Sequence, residues 1–74
     1  LSFSLAKASP AQLTIFNAKG QLVRRLVNSQ YSAGQHSVVW DGKDDLGRSV
    51  SSGIYFYRMS TTNYTQTRKM LLMK

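Results

Sequence analysis

Gly53-Ile54-Tyr55-Phe56-Tyr57-Arg58-Met59 is the stretch whose reading decides the fold. Its apolar residues follow one another without the three- and four-residue recurrence of an amphipathic helix, and β-branched and aromatic types dominate. As a strand running from Ile54 to Thr61, it has a period of two. That period puts Tyr55, Tyr57 and Met59 on the inner face. Ile54 and Phe56 then face outward, which predicts an exposed apolar patch.

The rest of the chain reads the same way, outward from this strand. Downstream, Thr62-Asn63-Tyr64 is a turn and Thr65 to Met73 a final strand, with Met70 and Leu72 inward and Lys69 and Leu71 outward. Upstream, Ser51-Ser52-Gly53 turns, Arg48 to Val50 reads as a short strand, and Asp41 to Gly47 is a loop dense in turn formers. Gln35 to Trp40 alternates, with His36, Val38 and Trp40 on one side, and Asn28 to Gly34 reads as polar loop. Gln21 to Val27 is a strand whose apolar residues do not alternate cleanly, the mark of a bulge or twist. It returns from Gln12 to Phe16 through the tight turn Asn17-Ala18-Lys19-Gly20, where Gly20 is free to take positive φ. Leu1 to Leu5 is the first strand, closed by the polar stretch ending at Pro10.

Six or seven short strands separated by turns predict an all-β, antiparallel β-sandwich in one domain, residues 1–74. The expected core is Leu13, Ile15, Val38, Trp40, Tyr55, Tyr57, Met59, Met70 and Leu72.

Composition narrows the chemistry. Seventy-four residues form one small domain that buries only about 60% of the surface its unfolded chain exposes. The absence of cysteine removes disulfides and thiolate metal sites, and a single histidine excludes clustered-imidazole zinc chemistry. The three acidic residues, Asp41, Asp44 and Asp45, fall in one short stretch, which leaves little for a carboxylate pair or a catalytic triad. Their spacing is also poor for calcium, and they read as loop organisers. No catalytic residue, metal site or cofactor is expected. No apolar run is long enough for a transmembrane helix.

Ten Lys and Arg against three Asp give a net charge of +7. Such a field favours anionic partners, including surface glycans. The cations are scattered among strands and loops instead of lining one element, which argues against nucleic acid. Leu1 is not an initiator methionine and already belongs to an alternating strand, as expected of a piece of a longer polypeptide.

Taken in order, several segments resemble a known family. They are Leu13-Thr14-Ile15-Phe16-Asn17-Ala18-Lys19-Gly20-Gln21-Leu22-Val23, Gly34 to Gly42 with Trp40-Asp41-Gly42, Asp45-Leu46-Gly47-Arg48, Ser52 to Arg58, and Lys69-Met70-Leu71-Leu72. The chain resembles the C-terminal sorting domains of the bacterial type IX (Por) secretion system. It is also similar to the Ig-like domain of flagellar hook-capping proteins of the FlgD type.

The resemblance implies a seven-stranded Ig-like domain at the C-terminus of a larger secreted protein. Its expected partners are the secretion machinery at the outer membrane, an upstream cargo domain and lipopolysaccharide or another anionic surface glycan. Its expected location is the cell surface, reached through the periplasm and outer membrane. On this reading Gly20, Val23, Gly53, Tyr55, Arg68, Lys69, Met70, Leu71, Leu72 and Lys74 are the recognition candidates, and export is the expected function. The end of the chain just after the terminal strand, and the lack of room for a second inserted β-domain, favour export over hook capping. Two other roles stand beside it: a structural domain of a flagellar hook-assembly scaffold, and a carbohydrate-binding accessory domain of a secreted hydrolase using Trp40.

Overall fold

The chain alternates where it is half buried and turns where glycine, asparagine and aspartate cluster, and the strands follow those divisions. The computed structural model describes residues 1–62 and 64–74, so Asn63 of the expected turn Thr62 to Tyr64 lies outside the described residues. Among the described residues six strands form: β1 (Ser2–Leu5), β2 (Ser9–Asn17), β3 (Leu22–Tyr31), β4 (Gly34–Ser37), β5 (Gly53–Thr61) and β6 (Thr65–Leu72). β1 and β4 make one antiparallel pair; the other four make a sheet in the order β3-β2-β5-β6. The fold is all-β and antiparallel, with one strand fewer than the seven implied by the resemblance.

β2 is the central strand. Leu13 and Ile15 are 1% and 0% exposed. Leu13 lies opposite Met59, and Ile15 opposite Tyr57. Ala11, Leu13 and Met59 form the buried cluster, against which Phe3 and Val38 of the small layer and Leu26, Val27, Tyr31 and Tyr57 of the large sheet pack. The small layer adds an aromatic knot, with the Phe3 and Tyr31 rings edge-on at 5.2 Å and Tyr31 and His36 at 4.7 Å. His36 Nε2 lies 2.8 Å from the Ser32 carbonyl.

The irregular alternation of Gln21 to Val27 has its counterpart in two register shifts between β2 and β3. Leu13 pairs with Val27 but Thr14 with Arg25, and Ile15 pairs with Arg24 but Phe16 with Leu22, leaving Leu26 and Val23 as extra residues. Each bulge turns one β3 side chain relative to strict alternation. Arg25 therefore faces outward with Thr14 and Arg24 inward with Ile15, while beyond the second bulge the two shifts cancel and Leu22 faces outward with Phe16.

Four local expectations are corrected. Asn28 to Tyr31 continue β3 instead of forming loop, because Gln12, Ala11, Pro10 and Ser9 of β2 pair with them and an edge strand tolerates polar side chains. Ser9 and Pro10 likewise belong to β2. Pro10 is placed where β2 pairs with β3 alone, so its missing N–H costs no bond to β5. β4 stops at Ser37: the last rung of its ladder with β1 is Leu1–Val38, and Trp40 lies beyond the strand. Arg48 to Val50 form no strand. Ser49 makes a single bridge with Lys43, and the Val50 N–H donates to the Gly42 carbonyl within the same loop.

Candidate functional site

The loop from 41 to 48 is built by its three aspartates. Asp44 Oδ1 accepts the Leu46 and Arg48 amides at 3.0 Å each, and Oδ2 accepts Arg48 Nε at 3.1 Å. Asp41 Oδ1 accepts the Lys43 amide and lies 3.6 Å from an Arg24 guanidinium nitrogen. Asp45 docks the loop on the edge of β3: its amide donates to the Val23 carbonyl and its Oδ1 accepts the Arg25 amide, both at 3.0 Å. Each carboxylate thus has protein donors. Among the described residues no three His, Cys, Asp or Glu side chains are grouped to hold a metal ion.

The Asp44 carboxyl is held below its ordinary value of 3.8, chiefly by the Arg48 amide. The Leu46 amide and the Arg48 side chain add to this, while partial desolvation opposes it. A value lowered by folding means that the carboxylate stabilises the loop above 3.8, and that this contribution is lost as pH falls through the folded value. Asp44→Ala is expected to flatten the decline of stability below about pH 4, read by urea denaturation, and to speed exchange of the Leu46 and Arg48 amides. An unchanged acid limb would refute the assignment.

Trp40 is committed to the same region. Its Nε1 donates to the Lys43 carbonyl at 2.9 Å, and its ring stands edge-on to Tyr55 at 5.3 Å. Tyr55 is buried, and its hydroxyl donates to the Ser51 carbonyl four residues upstream at 2.7 Å. This is the geometry of an Ig tyrosine corner.

Many of the recognition candidates gather at this end of the large sheet. Asn17 opposes Tyr55, Tyr55 opposes Met70, and Gly53 opposes Leu72. Gly20, at φ +82°, closes the β2–β3 turn, in which Asn17 Oδ1 accepts the Lys19 and Gln21 amides. Val23 is the bulged residue that receives the loop. The Lys74 amide donates to Ser52 Oγ, and a Cβ on Gly42 would meet Lys74 Cε at 3.4 Å. Arg68 lies one step away, opposite Tyr57 on the inner side. Lys69 and Leu71 point to the opposite face of the sheet, opposite Phe56 and Ile54. Of the expected core, Leu13, Ile15, Tyr55 and Met59 are buried, whereas Val38, Trp40, Tyr57, Met70 and Leu72 are half-buried.

That opposite face holds residues the sequence reading did not assign. Register places Leu22, Phe16, Phe56 and Lys69 in one row across it, with Ile54 and Leu71 in the next. Leu22, Ile54 and Leu71 are 44%, 47% and 64% exposed. On the other side of the first row stand Arg25, Thr14, Arg58 and Thr67, with the Arg58 guanidinium 4.8 Å above the Phe16 ring. The two bulges put Arg25 on this face and Arg24 on the inner one, the reverse of strict alternation from Val27.

The geometry meets its counterpart in known proteins. The family model for the FlgD Ig-like domain matches residues 1–64. The chain belongs to the FlgD Ig-like domain family. The crystal structure of FlgD from P. aeruginosa superposes with a TM-score of 0.75 at 30% identity, covering 95% of this chain and 55% of that one. The chain thus spans about half the length of that FlgD. No curated protein sequence matches it. Strand β6 lies beyond the residues matched by the family model.

Proposed function

We propose that this chain is a non-catalytic, structural Ig-like domain of a flagellar hook-assembly scaffold. The observation that carries the reading is the likeness to FlgD from P. aeruginosa, 30% identity over 95% of the chain with the same fold. The internal commitments of the chain suit such a role. Its aspartates organise a loop, its tryptophan is tied into the fold, and its histidine sits in an aromatic knot. Such a domain acts through its surface and its rigidity.

The export reading keeps one supporting observation. β6 is an edge strand paired only with β5 among the described residues, so its outer edge is open to a receptor strand. In that reading the partner is the outer-membrane secretion machinery and the destination is the cell surface.

One pair of experiments separates the two. Residues 1–74 are exchanged for the Ig-like domain of a hook-assembly FlgD in a flagellated host, where assembled hooks and restored swimming are expected. A stable chimera without hooks would overturn the scaffold reading. In a host with type IX machinery, a periplasmic reporter fused to the chain is expected to stay in the periplasm. Export that is abolished by deleting Lys69 to Lys74 would transfer the assignment to sorting.

A further inference from the structure

We propose that the outer face of the four-stranded sheet is a docking surface for an acidic, apolar segment of another protein. The two outer faces of the domain differ sharply. On the small sheet, Ser2, Ser4, Gln35 and Ser37 present hydroxyls and an amide, with no charge and no apolar side chain. On the large sheet, Leu22, Phe16, Phe56, Ile54 and Leu71 form a continuous apolar area, and Arg25, Arg58 and Lys69 stand beside it. All three cations are on exposed residues. Among the described residues the ion pairs are Arg24 with Asp41 and Arg48 with Asp44, so these three have no carboxylate partner.

Charge decides the occupant. No acidic residue stands on this face, and the three that the chain has are engaged in the loop from 41 to 48. A second copy meeting it face to face would set Arg25, Arg58 and Lys69 against their own images, which is unfavourable. A second copy meeting it through another surface has no unengaged carboxylate to offer. A lipid surface carries the right charge, but the apolar side chains here are only half-exposed on a sheet, and not on an amphipathic helix whose apolar face can sink into the headgroup boundary. A protein segment with leucine-like side chains next to carboxylates satisfies both halves of the face. Its apolar groups cover the Phe16 and Phe56 area while its carboxylates meet the cations. This inference does not depend on the scaffold reading.

The test is an amide NMR titration of the 74-residue chain with a short soluble peptide alternating Leu and Glu. The same peptide with Lys for Glu and vesicles of anionic phosphatidylglycerol are the other two probes. Binding of the Glu peptide is expected, with shifts concentrated at Phe16, Leu22, Ile54, Phe56 and Leu71 and weakening as salt shortens the Debye length. Ile54→Asp and Leu71→Asp, both at exposed positions, are expected to lower affinity about tenfold or more while leaving the melting temperature close to that of the parent. Arg58→Glu is expected to weaken the Glu peptide and strengthen the Lys peptide. Equal binding of both peptides, shifts located elsewhere, or no effect of the Asp variants would overturn the proposal. So would vesicle binding without peptide binding, or self-association in sedimentation that the Asp variants abolish.

Discussion

Ile15→Ala is expected to unfold much of the population at 37 °C. Ile15 is fully buried on the central strand, between Arg24 of β3 and Tyr57 of β5. Both flanking strands are hydrogen-bonded to β2, so the walls of the space left behind are held apart and cannot collapse into it. Truncations of this kind cost about 2–5 kcal/mol. A domain of this size has only roughly 4–11 kcal/mol in total. For small domains each kcal/mol shifts the melting temperature by about 4–8 °C, so a fall of about 8–40 °C is expected by circular dichroism. Leu71→Ala, at a position 64% exposed, is the control and should stay within about 0.5 kcal/mol of the parent. Equal melting of the parent and Ile15→Ala would mean that the layer over β2 is not the core.

Tyr55 carries the second large effect, and two substitutions divide it. Tyr55→Ala removes the ring that meets Trp40 and fills the end of the inner face, at a cost of about 3–5 kcal/mol. Tyr55→Phe keeps the ring and loses only the hydroxyl bond to the Ser51 carbonyl, costing about 1 kcal/mol. Trp40 is the sole tryptophan, so its emission reports the site directly. The Ala variant is expected to red-shift the native emission as water reaches the indole, and the Phe variant to leave it in place. Equal losses from the two variants would assign the energy to the hydroxyl and remove the ring from the argument.

These two positions were also the most legible in the sequence. Leu13 and Ile15 alternate within a β-forming run, and Tyr55, Tyr57 and Met59 do so within the strongest strand, so simple periodicity separates inside from outside. The same rule placed Met70 and Leu72 opposite Lys69 and Leu71, which is their register on β6. It failed where pairing, and not pattern, makes the strand. Asn28, Ser29 and Gln30 have no strand-like pattern, yet β2 runs alongside and takes up their backbone groups. Trp40 has the pattern, but the β1–β4 ladder gives out before it and the indole turns to Tyr55 instead. Of the outward patch, Ile54, Phe56 and Leu71 were read correctly, while Leu22 and Phe16 were missed. Both join the patch through pairing, Phe16 opposite Phe56 and Leu22 opposite Phe16, while the two extra residues in β3 exchange the faces of Arg24 and Arg25, which single-strand alternation does not record.

The amino-acid order alone fixed an all-β domain without helices, placed the turn at Gly20, put the aspartates in a loop and set the two faces of the last two strands. Each of these follows from interactions between near neighbours in the chain. Tertiary structure decided the pairing order β3-β2-β5-β6, the docking of the aspartate loop on the edge of β3, and the gathering of Leu22, Phe16, Phe56, Ile54 and Leu71 into one apolar area beside three cations that have no carboxylate partner among the described residues. These depend on registers between residues far apart in sequence, where one extra residue in a strand redirects the side chains that follow.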